Sequence, residues 1–178
     1  MEYKTVDDVY AANAAIREKF KSAFASLSDE QLNAKPEGEG WSIAQIVEHV
    51  AVVNGGALRI CSKLLGKGET AGKSNDGSVF ISPEFIEAGS SAVGQKLEAP
   101  EMVRPINNIP LVDSIAKLDE LQGQYAELKE KFATVDGVDA KFPHPYFGDL
   151  SAQEWLVLSG AHEIRHLKQI RRVLEALH

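Results

Sequence analysis

The chain has 178 residues, 44% of them hydrophobic and 25% charged, which suits a single globular domain over 1–178 with a core of its own. A net charge of −7 repels a phosphate backbone on average, so nucleic acid is not an expected partner. No run approaches the ~18 apolar residues that span a bilayer, the acidic start Met1–Asp8 lacks the apolar run of a signal peptide, and a lone Cys61 excludes an internal disulfide. These features predict a cytoplasmic protein with no membrane partner.

Val6 to about Leu27 reads as a helix, with Val9, Ala12, Ile16, Phe20 and Phe24 recurring at three- and four-residue spacing. Ser28-Asp29-Glu30-Gln31 signals the start of a short turn, and Pro36-Glu37-Gly38-Glu39-Gly40 breaks the chain. A second long helix opens at Ser42, with Gln45 at capping-box spacing, and is expected to end near Leu65 at Gly66 and Gly68. Cys61 falls on its apolar stripe with Ile43, Val50, Ala57 and Leu64 and reads as a small core residue.

Residues 67 to about 110 form an irregular connection in which only Pro83–Ala92 has the makings of a short helix. Leu111–Val135 is a third long helix with Ile115, Leu118, Leu121, Tyr125, Leu128 and Phe132 as its stripe. Phe142–Gly148 is extended, and Ser151 with Glu154 caps a fourth helix that runs nearly to the end. Four long amphipathic helices, no convincing strands and one long connection predict an all-α four-helix bundle with a crossover.

Chemistry concentrates in three histidines. His162 and His166 are four residues apart, hence about one turn along the same face of the last helix. His49 borders the stripe of the second long helix made by Ile46, Val50, Val53 and Ala57. Two imidazoles on one stripe and a third from a facing helix can clasp a divalent ion and leave a position open for chemistry. Partly buried histidines bonded to carbonyls or carboxylates are the alternative, and spacing alone does not separate the two.

His162-Glu163-Ile164-Arg165-His166 fits the H-E-x-x-H pattern of zinc proteases, but too little chain follows to supply a downstream ligand, and no strand is expected to hold a peptide. Glu163 instead reads as an inward-facing residue bonded to a ligand or handling a proton. Gln45, Glu48 and Asn54 are further candidates to orient the ligands, and Asn54 is also a candidate to line a substrate pocket. Gly55 and Gly56 suit either close helix packing or space for substrate. His144, between two prolines, reads as a turn residue or a contact to the site; His178 is expected to be solvated, and Trp41 and Trp155 to anchor the core. The basic run Arg165, Lys168, Arg171 and Arg172 reads as a solvated face.

Three stretches resemble the DinB-like superfamily, which includes bacillithiol transferases. They are Trp41-Ser42-Ile43-Ala44-Gln45-Ile46-Val47-Glu48-His49, then Ala99-Pro100-Glu101-Met102-Val103-Arg104-Pro105, then His144-Pro145 through Phe147-Gly148-Asp149-Leu150-Ser151-Ala152-Gln153-Glu154-Trp155 to His162, His166 and Gln169. The resemblance implies a four-helix bundle with a long crossover, often paired as a homodimer. It also implies that His49, His162 and His166 hold a divalent ion, zinc or nickel. Relatives of this kind move a low-molecular-weight thiol onto a small electrophile or isomerise with a thiol cofactor.

Three readings follow. The first is a metal-dependent thiol S-transferase acting on a small molecule. The second is a metal-dependent hydrolase using a metal-bound hydroxide, and the third a non-catalytic bundle that its metal stabilises.

Overall fold

The computed structural model describes residues 3–38, 40–106 and 109–177. His178 lies outside the described residues, as do Glu39 of the expected break and the first two residues. The chain folds into four long helices: α1 (Val6–Ser22), α3 (Ile43–Thr70), α5 (Leu111–Thr134) and α6 (Ala152–Ala176). Two short helices join them, α2 (Asp29–Asn33) and α4 (Pro83–Ser91), with a 3-10 turn at Glu101–Val103.

Side-chain pairs set the directions. Arg17 meets Glu163 and Asn13 meets Leu156, so α1 and α6 run parallel. Cys61 meets Ala152 while Asn54 meets Glu163, so α3 opposes α6. Tyr10 and Lys21 reach Tyr125 and Asp119, so α5 opposes α1. The order is therefore up, down, down, up, and the parallel neighbours α3 and α5 require the long crossover 71–110.

Helix starts follow the sequence closely. Ser28, Ser42 and Ser151 each close a capping box with Gln31, Gln45 and Glu154, and Thr5 does the same with Asp8. Helix ends follow it less well. α1 stops at Ser22 rather than Leu27, because Ala23 and Phe24 bond back to the carbonyls of Phe20 and Lys21 and tighten the chain into a turn.

α3 runs through Gly66 and Gly68 to Thr70, one turn past its expected end. Gly68 is there for proximity: a Cβ would lie 2.2 Å from the carbonyl oxygen of Asp136. The expectation of no strands is also corrected. β1 (Lys141–His144) and β2 (Gly148–Ser151) form an antiparallel hairpin, its turn closed by Gly148 at φ 74°. The period-two signal is masked by Pro143 and Pro145. The indole N–H of Trp155 donates to the Phe142 carbonyl and ties this hairpin to α6.

The core divides in two. One apolar cluster, at the hairpin end, holds Val9, Cys61, Leu65, Phe132, Leu150 and Leu156. The other holds Phe20, Ile46, Val50, Leu118, Leu167 and Ile170. Between them, on every long helix, lies a polar layer built around buried Arg17, Asn54 and Glu163. Among the described residues no helix is long and apolar enough to cross a membrane.

The glycines of α3 provide a test of this packing. Gly68→Ala forces the α3 and α5 ends apart and is expected to cost about 1–3 kcal/mol. Gly56→Ala, whose Cβ meets nothing within 4 Å, should be neutral or gain up to about 1 kcal/mol of helix propensity. Urea unfolding midpoints of the two variants should move in opposite directions or differ by that margin.

Candidate metal centre

His49 on α3 and His162 and His166 on α6 converge. Their ligand-capable nitrogens all lie within 4.8 Å of one another, and His49 and His166 are buried. His162 Nε2 is 3.2 Å from His49 Nε2 and 3.1 Å from His166 Nε2. Three ligands at about 2.0–2.1 Å from a tetrahedral ion stand roughly 3.3 Å apart, so the spacing suits such an ion.

Tautomers sharpen the point. His49 Nδ1 lies 2.7 Å from the Val103 carbonyl, which only accepts, so the proton sits on Nδ1 and Nε2 presents a lone pair. His166 Nδ1 lies 2.9 Å from Gln169 Oε1 with the same result. His162 Nδ1 is buried without a partner. If His162 carries its proton on Nδ1, three lone pairs crowd together; if on Nε2, a buried acceptor on Nδ1 goes unmet. A cation at the focus accepts all three Nε2 lone pairs at once, and three imidazoles are a donor set that divalent transition metals take.

Burial depresses all three imidazoles. His49 is lowered below its ordinary value by desolvation, only partly offset by its bond to Val103. His166 is pushed down to about 3 by desolvation and then by His49, and His162 falls well below normal through desolvation and its two histidine neighbours. Neutral rings are the ligand form.

The residues expected to support the ligands are placed elsewhere. Glu163 does not face the histidines: Arg17 Nε donates to both its oxygens at 2.8 and 2.9 Å, Arg17 Nη2 also pairs with it, and Asn54 Nδ2 donates to it at 2.6 Å. Asn54 is thereby fully buried, held against Glu163. Gln45 closes the α3 capping box through Oε1, and Glu48 accepts the amide of Ile106 at 2.7 Å. One reason covers all four: each is already engaged elsewhere, Gln45 and Glu48 by backbone amides, Glu163 by Arg17, and Asn54 by Glu163.

His144 sits on the hairpin, its ring 5.2 Å from Trp155 and 4.8 Å from Phe147, and its Nδ1 accepts the Tyr146 amide. Desolvation lowers it to about 4, and it adds to the field that depresses His162. Gly55 packs near Leu121 at ordinary contact distance, while Gly56 is half-buried with open space around it.

Sequence reasoning missed other contributors. Trp41 is half-buried and packs against the second core cluster as expected, but its ring also lies 4.8 Å from His49 and 6.4 Å from His166, so it walls the histidines as well. Gln169 follows His166 by three residues, a spacing that flags an orienting partner on a helix. The Val103 carbonyl carries no residue-type signal at all. Arg165, assigned to the solvated face, is half-buried and donates to the Gln95 carbonyl of the crossover at 3.0 Å.

The depressed histidines have a consequence for metal-free protein. Their folded values lie below the ordinary 6.5, so the unfolded chain binds protons first and stability, complete above pH 6.5, falls as pH drops toward about 4. Urea midpoints in chelator should decline steadily from pH 7 to 5, before carboxylates titrate. His144→Phe should make that decline shallower.

Comparisons with known proteins agree with this architecture. The family model described as DinB superfamily matches residues 12–170. The uncharacterized protein YuaE of Bacillus subtilis (strain 168) is 26% identical over 157 residues, covering 85% of this chain and 88% of that protein. Among solved structures, the four-helix bundle protein TT2238 superposes with a TM-score of 0.61 at 24% identity, covering 94% of this chain and 99% of that one. YfiT from Bacillus subtilis, described as "a probable metal-dependent hydrolase with an unusual four-helix bundle topology", also gives 0.61, at 18% identity over 97% of this chain and 87% of that one. With a match across nearly its whole length, the chain belongs to the DinB superfamily.

Proposed function

We propose that His49, His162 and His166 hold a divalent ion, zinc or nickel, and that the protein joins a low-molecular-weight thiol to a small electrophile at that centre. The observation that carries the reading is a donor set of three neutral imidazoles with no fourth protein ligand among the described residues. An ion so held keeps its full positive charge and lowers the pKa of a thiol or water bound to it.

The chain's own residues favour the thiol. The carboxylates adjacent in sequence to ligands, Glu48 and Glu163, are engaged by Ile106 and Arg17, so neither is free to take a proton from water. An H-E-x-x-H hydrolase uses its glutamate as such a base, whereas a metal-bound thiol, with an ordinary pKa near 8.5, ionises without one. The thiol must come from solution, because Cys61 is fully buried and desolvation raises it far above its normal value. In the reaction a sulfur–carbon bond forms, the leaving group departs with its electron pair, and the thiol proton passes to solvent. Trp41 offers an aromatic wall for the electrophile.

Hydrolysis at the same centre is the second reading, favoured by the description of the fold neighbour YfiT. Metal content of untagged protein by plasma mass spectrometry, beside His49→Ala and His166→Ala, is the first test. About one equivalent of zinc or nickel is expected, lost in both variants while circular dichroism stays helical. No uptake after reconstitution with either ion would overturn the metal reading. With metal present, thiol-dependent consumption of an alkyl halide or epoxide supports the transferase, whereas turnover of an ester without thiol replaces it with the hydrolase.

A further inference from the structure

We infer that Glu163, with Arg17 and Asn54, is a positioning residue that sets the three-histidine geometry, and is not the general base its H-E-x-x-H context suggests. The inference rests on the metal-centre reading above and adds to it the device that holds the ligands in register.

Glu163 is 2% exposed and Arg17 7%. Arg17 from α1 binds both Glu163 oxygens on α6 and donates through Nη1 to the Leu118 carbonyl of α5 at 2.8 Å. Asn54 of α3 donates to the same carboxylate. The Arg17–Glu163 pair with Asn54 thus joins all four long helices. A buried ion pair is weak evidence for stability, because apolar residues of like volume often serve as well; its attested use is to fix register. Asn54 supports that use, since it brings a third helix, α3, onto the Glu163 carboxylate.

Placement gives the register a purpose. Glu163 directly follows His162 and stands three residues before His166, and Asn54 is five residues beyond His49 on the facing helix. The Asn54–Glu163 bond therefore pins α3 to α6, the two helices that supply every imidazole. Metal–ligand distances hold to about 0.2 Å, so a small shift of α6 along α3 is felt at the imidazoles. On its other side α6 is held by Asn13, which donates to the Leu156 carbonyl at 2.9 Å and crowds Gly160. Rotation of α6 is blocked from both flanks.

The test replaces the whole node by apolar residues, Arg17→Met, Asn54→Leu and Glu163→Met together, beside Glu163→Gln alone. Thermal melts report the fold, a chelator-dye competition reports zinc affinity, and the visible spectrum of the cobalt(II) form reports ligand geometry. The triple variant is expected to melt near wild type yet bind zinc about tenfold or more weakly, with an altered cobalt spectrum. Glu163→Gln keeps the side-chain shape and should weaken zinc by a smaller factor, which covers the case of a triple variant that does not fold. Wild-type zinc affinity and an unchanged cobalt spectrum in a folded triple variant, or in Glu163→Gln if the triple is unfolded, would overturn the positioning role. Failure of wild type itself to bind zinc would instead remove the metal-centre reading, and the positioning role with it.

Discussion

The guanidinium of Arg17 and the carboxylate of Glu163 face each other at the middle of the bundle, buried, with Asn54 and the Leu118 carbonyl taking up the remaining valence. Every long helix changes character at this level. On one side its core positions feed the cluster around Leu65 and Phe132, on the other the cluster around Ile46 and Ile170. Apolar packing is non-directional and tolerates sliding; a bidentate ion pair does not. Removing one partner would leave a buried charge unmatched, at a cost of about 3–5 kcal/mol. The layer therefore selects one arrangement of four helices from several that the apolar stripes alone permit.

That choice has a chemical counterpart one turn away. The carboxylates adjacent in sequence to the ligands are committed to structure: Glu163 to Arg17 and Glu48 to the Ile106 amide. What remains at the site is imidazole. Desolvation keeps those rings neutral, and the Val103 carbonyl and Gln169 turn two of them so that Nε2 faces inward. Withdrawing negative charge from around a cation-binding site leaves the cation's own charge available to a ligand. The crossover takes part directly, since Val103 and Ile106 contact the consecutive residues His49 and Glu48 of α3.

Some of this was legible in the residues. Capping boxes at Ser42 and Ser151 and the three-four spacing of α1, α3, α5 and α6 placed the long helices, because these signals act within a turn or two of chain. That His49, His162 and His166 border the core was legible from their helix faces; their reading as one ligand set came from the resemblance to the DinB-like superfamily. The roles of Glu163, Asn54 and Gln45 were not. An inward carboxylate can serve a metal, a substrate or a distant cation, and only the location of Arg17 decides which. Arg17 does leave a trace, a charged residue beside the α1 stripe between Ile16 and Phe20, but its partner lies 146 residues away. Gly66 and Gly68 read as stops because glycine is a poor helix former; packing against Asp136 outweighed that local preference.

Sequence alone thus determined which segments are helical, which faces seek the core, and that three histidines border it, since each depends on interactions of neighbouring residues along one chain. Tertiary structure decided the up-down-down-up order, the hairpin built on Pro143 and Gly148, the wall formed by Trp41 and the partners of Arg17, Asn54 and Glu163. Those outcomes depend on which of many chemically equivalent partners reaches a given atom first in space. Donors and acceptors carry no address in the sequence; proximity assigns it.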